Sequence, residues 1–141
     1  MMHVLGRPEP SLPGPDSVVT GAAWVQTVAR PGHPSRLVVE DITFAPGSHT
    51  IWHSHPYGQL LIVTAGAGWL QTRGNPAIPI RTGDTVWIEP TEEHWHGSAP
   101  DTVLRHLPIQ EHQDGQEATL AEPLTPGTYP PNPLLTEELR P

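Results

Sequence analysis

The sequence predicts an all-β fold, a single barrel of the jelly-roll kind. Three observations carry that expectation. Short runs of strand-forming residues recur with turn signals every ~8–12 residues. Proline punctuates the chain from end to end, with 19 in all. The 141 residues are enough for one hydrophobic core but not for two domains.

Taken in order, residues 1–17 carry Pro8, Pro10, Pro13 and Pro15 and predict an extended arm, because proline fixes φ and lacks the N–H that a helix needs. Residues 17–29 predict one or two strands, and Arg30-Pro31-Gly32-His33-Pro34 a loop. A strand is expected over Leu37–Phe44, then a turn at residues 45–48 and a second strand over residues 50–55. Residues 59–64 form a strongly apolar strand expected to end at Gly66 and Gly68, with residues 69–73 pairing back. Gly74-Asn75-Pro76 is the next turn, and Gly83-Asp84 leads into the strand formers Val86, Trp87 and Ile88. Residues 103–111 are the last clear strand. Beyond them residues 117–122 suggest a short helix, and residues 123–141, with six prolines, an irregular tail. The organisation expected is an arm over 1–17, a barrel over 18–112 and a tail over 113–141.

Composition excludes several classes. Seven Lys and Arg against 15 Asp and Glu give a net charge of −8 with no basic stripe, which argues against a nucleic-acid partner. No apolar run reaches the ~18 residues of a membrane span, and no signal-peptide pattern precedes the first strand, so a cytoplasmic protein is expected. The absence of cysteine removes disulfides, thiolate ligands and a thiol nucleophile together.

The chemistry sits in two histidine clusters. Between Gly47 and Gly66 the chain reads Gly-x5-His-x-His-x3-Gln-x6-Gly, so His53 and His55 leave the same face of a strand and Gln59 follows a turn at Pro56 and Gly58. Imidazole nitrogens suit first-row transition metals, and an amide oxygen suits the harder divalent ions among them. In the second cluster His94 and His96 share a face, with Trp95 on the other. Alternation also groups His106 with Gln110, and Glu40 with Ile42 and Phe44. It does not say which faces are inside, so a surface His106 and a solvated Glu40 stand beside their buried readings.

These clusters resemble the cupin superfamily over roughly residues 36–112. The first cupin motif is Gly-x5-His-x-His-x3,4-Glu-x6-Gly, and only Gln59 departs from it. The second is Gly-x5-Pro-x-Gly-x2-His-x3-Asn. Gly83 and His94 keep its register, while Glu89, Thr91 and Ser98 replace its proline, glycine and asparagine. A narrower resemblance is to the small bacterial cupins that act as manganese-dependent hydroxynitrile lyases, cleaving aryl cyanohydrins to aldehyde and hydrogen cyanide. It rests on Phe44-x-Pro-Gly47, Thr50-x-Trp-His-x-His-Pro56, Gly58-Gln-x-Leu-Ile-Val-Thr-Ala-Gly66, Gly68-Trp69, His94-Trp-His-Gly97 and His106-Leu-x-Ile-Gln-Glu111.

The resemblance implies metal ligands at His53, His55, Gln59 and His94, and pocket positions at Thr50, His96, His106 and Gln110. The implied ion is divalent manganese, with iron, zinc and nickel as alternatives. Three neutral imidazoles and a carboxamide leave its charge uncompensated, so it serves as a Lewis acid toward a small-molecule substrate. By the likeness the substrate hydroxyl binds the metal, His96 or His106 takes its proton, and the cation and nearby donors stabilise the leaving cyanide. His96 is alternatively a residue that orients a ligand, or a ligand itself. That family carries a small apolar residue where this chain has Glu40; a carboxylate there fills part of the pocket, pairs with a histidine or reaches the metal. Cupins of this size also include isomerases, decarboxylases, dioxygenases and non-catalytic metal-binding proteins. A homodimer or larger homo-oligomer is expected, because Trp24, Trp52, Trp87 and Trp95 fall on strands and Trp52 and Trp95 face away from the metal.

Overall fold

A computed structural model describes residues 1–130 and, among them, every regular element is a strand. In chain order these are β1 (Leu12–Pro13), β2 (Val19–Thr20), β3 (Ala23–Ala29), β4 (Leu37–Phe44), β5 (His49–Thr50), β6 (His53–Ser54), β7 (Gln59–Thr72), β8 (Ile78–Arg81), β9 (Thr85–Ile88), β10 (His94–Ser98), β11 (Leu104–Glu111) and β12 (Thr119–Leu120). One sheet runs β1-β3-β4-β11-β7-β9, and the other gathers β2, β5, β10, β6 and β12 with β8 around the far half of β7. All pairings are antiparallel and β7 belongs to both sheets.

That continuity corrects the expected break at the glycines. Up to Gly66, β7 pairs with β11 and β9; from Ala67 it continues straight into pairing with β8 and β10. Gly66, at φ +78°, is where the strand leaves one sheet for the other, and a Cβ there would lie 1.8 Å from the Val103 carbonyl oxygen. The glycine is therefore a bend forced by close approach rather than a stop. Residues 69–72 extend the strand instead of pairing back on it.

The core follows from alternation. Leu61 and Val63 of β7, Leu104 of β11 and Phe44 of β4 point between the sheets, joined by Val19, Ala23, Leu70, Ile80 and Ile88. Burying a side chain such as Phe44 contributes about 1.5–3 kcal/mol. Phe44 also marks the boundary between apolar and polar interior, with ring centroids 5.8 Å from His96 and 5.5 Å from His106.

Two further expectations change. Residues 117–122 are extended, not helical: β12 pairs with β6 across Leu120–His53 and Thr119–Ser54, and Ala121 N donates to Trp52 O at 2.8 Å. The C-terminal segment is thus stitched to the first histidine strand; the expected irregular tail beyond residue 130 lies outside the described residues. Trp95 does not need a partner chain, since it is 0% exposed. Tyr129 packs over it at 5.4 Å between centroids and donates its hydroxyl to Ser98 O, while Trp95 Nε1 donates to Gln71 Oε1 at 2.9 Å. Trp52 is capped by the Arg73 guanidinium at 4.3 Å. Trp24 and Trp87 remain open, at 44% and 54% exposure.

The turn before β10 is held by a hydrogen bond to the neighbouring strand. Thr91 adopts φ +63°, a left-handed conformation that a β-branched residue takes only under constraint. Its N–H donates to His55 O at 2.9 Å, which holds the turn against the first histidine strand. Ser98 bridges the end of β10 to the 45–48 loop, donating to Ala45 O at 2.5 Å and accepting from Ser48 N at 3.1 Å.

Candidate metal centre

The site grows from three strand registers. His94 of β10 lies directly opposite His53 of β6, which brings the two clusters face to face. Gln110 of β11 pairs with Gln59 of β7 on one side and Val38 of β4 on the other, so Glu40 falls diagonally beside it on the same face. Glu40 and Ile42 accordingly line the cavity, whereas Asp41 points out and ion-pairs with Arg105 at 2.7 Å. The polar partner of Glu40 is Gln110, whose Nε2 donates to Glu40 Oε1 at 3.3 Å.

Each predicted imidazole ligand has one nitrogen already committed. His53 Nδ1 donates to Ile51 O at 2.8 Å, His55 Nδ1 to Glu117 O at 2.7 Å, and His94 Nδ1 to Glu92 O at 2.9 Å. A neutral ring that donates from Nδ1 carries its lone pair on Nε2, and a backbone carbonyl behind each ring is the usual way a metal-binding histidine is oriented. Burial is the main force holding all three neutral: His53 falls well below its ordinary range, His55 is lowered, and His94 drops to about 4. The neighbouring imidazoles press His53 and His94 in the same direction.

The donor atoms converge with no protein group to satisfy them. Gln59 Oε1 sits 3.2 Å from His94 Nε2, although both are acceptors once the Gln59 amide nitrogen donates to Gln110. Two acceptors at that distance repel each other, and a cation beside both would satisfy them. His55 Nε2 and His96 Nε2 are buried without any partner, as is His106 Nδ1. Such atoms ordinarily cost ~1–3 kcal/mol each. A donor set of imidazole nitrogens and one amide oxygen fits a divalent first-row metal.

Among the described residues, one ligand nitrogen each from His53, His94 and His96 lies within 4.8 Å of the others. The His55 ring is as close, 5.2 Å from that of His53 and 5.4 Å from that of His94, against 5.3 Å and 5.7 Å for His96. His55 and His96 therefore both border the His53–His94 pair.

His96 Nδ1 and His106 Nε2 lie 2.9 Å apart and share one proton. Burial, first, and then the neighbouring imidazoles drive His96 well below its ordinary range; burial takes His106 to about 4. His106 is fully buried behind His96 and does not line the cavity, so it reaches a substrate only through its neighbour. Thr50 lines the cavity and accepts from His96 N at 3.2 Å, fixing the backbone of that strand.

The cavity measures about 160 Å³, close to the ~150 Å³ that accepts a benzene ring. His53, His55, Gln59, His96, Thr50, Glu40 and Gln110 face it, whereas His94 does not line it. Sequence reasoning missed Val18, Pro108, Glu117, Ala118 and Leu120. Pro108 carried a signal, since it shares the alternation of His106 and Gln110. The others close the mouth from the two terminal segments and have no local periodicity to reveal them. Burial raises the Glu40 carboxyl to about 7, the Glu117 carboxylate adds to the rise, and Gln110 and Arg30 oppose it.

A barrel with its histidines at this place defines a class, and similarity to known proteins agrees with it. The family model for the cupin domain matches residues 41–109, and the chain belongs to the cupin family. It is 43% identical over 116 residues to an (R)-mandelonitrile lyase of Granulicella tundricola, covering 82% of this chain and 88% of that protein. The crystal structure of a cupin-like protein from Thermotoga maritima superposes with a TM-score of 0.80 at 39% identity, over 86% of this chain and 92% of that one. A cupin 2 conserved barrel domain protein from Rhodopseudomonas palustris shares the fold alone: its TM-score is 0.63 at 14% identity, over 84% and 78% of the two chains.

Proposed function

We propose that this chain is a metal-dependent hydroxynitrile lyase acting on aryl cyanohydrins such as mandelonitrile. The observation that carries the reading is the approach of Gln59 Oε1 to His94 Nε2, with Gln59 and His55, whose Nε2 is unpartnered, on the wall of a one-ring cavity and His94 behind it. The 43% identity to an (R)-mandelonitrile lyase supports the substrate class. His53, His55, Gln59 and His94 would hold the ion, with manganese preferred. When bound, the metal supplies Lewis acidity toward a substrate oxygen.

The remaining steps fall to side chains. In this mechanism His96 turns Nε2 to the cavity, and its Nδ1–H is the donor in the 2.9 Å contact with His106 Nε2. Nε2 takes the proton of the cyanohydrin hydroxyl as a general base. The C–C bond to the nitrile breaks as the oxygen lone pair forms the aldehyde C=O, and cyanide leaves with the electron pair. The proton on His96 then passes to cyanide, giving hydrogen cyanide and restoring the neutral ring. His106 holds the tautomer, and Thr50 and Gln110 shape the wall on which the substrate rests.

A second reading makes His96 a ligand in place of His55, favoured by the compactness of the His53, His94 and His96 group. Metal content separates the two, since only that reading has His96→Ala lose the ion. For the reaction itself, the manganese-loaded protein is expected to release benzaldehyde and cyanide in equal amounts from mandelonitrile, and to stop on chelation. Inertness toward cyanohydrins, together with oxygen uptake or carbon dioxide release from small keto acids, would instead mark an oxygenase or decarboxylase.

A further inference from the structure

We infer that Glu40 is a positioning residue for the metal centre: acting through Gln110, it fixes which end of the Gln59 carboxamide faces the imidazoles. A chain of three side chains on three neighbouring strands carries the inference. Gln110 Nε2 donates to Glu40 Oε1 at 3.3 Å, Gln59 Nε2 donates to Gln110 Oε1 at 3.1 Å, and Gln59 Oε1 is left 3.2 Å from His94 Nε2.

The direction of that chain is set at one end only. A carboxamide offers a donor and an acceptor of nearly the same size, so two glutamines side by side can point either way with equal satisfaction. Above pH about 7, where Glu40 is ionised, its carboxylate can only accept. Beside Glu40, Gln110 must turn its NH2 outward and its oxygen toward Gln59; Gln59 must then give its NH2 to that oxygen and its own oxygen to the metal face. Reversed, the chain sets the Gln110 oxygen against the Glu40 carboxylate and the Gln59 NH2 against the cation. The registers lock the spacing, because Gln59 and Gln110 are direct cross-strand partners and Glu40 lies diagonally from Gln110.

This assigns a purpose to a carboxylate in a place that is otherwise costly for it. Glutamine is a neutral ligand whose affinity depends on presenting oxygen, whereas a glutamate ligand has no wrong end. A chain with Gln at position 59 gains from an acceptor-only group two steps away. The inference rests on Gln59 being a metal ligand, as read above.

The test is manganese affinity of the full-length, chelator-stripped protein, followed by calorimetry and by the paramagnetic signal of the free ion. Loss of a group that orients a ligand ordinarily weakens metal binding about 10–100-fold. Glu40→Gln, which removes the direction, is expected to weaken manganese binding about tenfold. Gln110→Met, which keeps the Glu40 charge but cuts the chain, should cost about as much. The exchanged pair Glu40→Gln with Gln110→Glu keeps an acceptor-only group facing the Gln59 NH2, and is expected to bind within about threefold of the unaltered protein. Wild-type affinity in Gln110→Met would show that Glu40 acts by charge alone and overturn the inference, as would a pair no tighter than Glu40→Gln. Gln59→Leu monitors the underlying reading. If it binds manganese normally, both the ligand assignment and the inference fall; if it binds weakly while Glu40→Gln is unaffected, only the inference does.

Discussion

Glu40 has a stability cost that can be measured directly in metal-free protein. Its carboxyl titrates near 4.5 in an unfolded chain and is raised to about 7 in the folded one, chiefly because burial removes water from the charged form and then because Glu117 faces it. A raised folded pKa in an acid means that the native state binds this proton more tightly than the unfolded chain does. Stability from this group is therefore present below 4.5 and lost as the pH climbs through about 7. At ~1.4 kcal/mol per pH unit the loss approaches about 3 kcal/mol, an upper limit because the carboxylate is only partly buried and water screens it. Glu40→Gln keeps the shape and lacks the titration. Urea unfolding of the two chelated proteins should show near-equal stability at about pH 4.5, and the glutamine variant ahead by about 1–3 kcal/mol at about pH 8. A difference that stays constant over that range would refute the buried placement of Glu40 and, with it, the strand register that turns Asp41 outward.

Thr91→Gly relieves a left-handed backbone that costs a non-glycine residue ~1–2 kcal/mol, so it should raise the melting temperature by several degrees; an unchanged or lower value in calorimetry would contradict the strain. Gly66→Ala places a methyl group 1.8 Å from the Val103 oxygen at φ +78°, and should destabilise the protein by about 3 kcal/mol or more. Wild-type stability in that variant would show that β7 does not bend there. For assembly, Trp24 and Trp87 are the aromatic rings left open on the first sheet. Sedimentation at micromolar concentration is expected to give a homodimer, and a mass near the 15.4 kDa of one chain would argue against it.

Much of the centre was legible because the side-chain period of a strand is two. His53 with His55, His94 with His96, and His106 with Gln110 needed only that rule, and so did the inward face of Glu40 once the core side was known. The misreadings have physical causes. Gly66 and Gly68 carry the usual signature of a turn, but here small residues serve close approach between strands, so one long strand was divided in two. The segment 117–122 joins the barrel through a two-residue pairing and carbonyl contacts to His55 and Trp52, which need no hydrophobic pattern. Trp95 was expected to seek a partner chain because its cover, Tyr129, comes from a stretch 34 residues away with no periodicity of its own. At Thr91 a β-branched residue takes a left-handed backbone that its type does not announce, because the neighbouring strand supplies a hydrogen-bond acceptor that holds it there.

The central claim is that four named side chains converge on a single divalent ion, and it is tested most directly by the ion's own coordination. X-ray absorption on the manganese-loaded protein should show one equivalent per chain with three imidazole nitrogens among the nearest atoms. In His53→Ala that equivalent should fall away while the circular dichroism of the barrel is retained. Full occupancy in that variant, or a shell made of oxygen alone in the unaltered protein, would contradict the account.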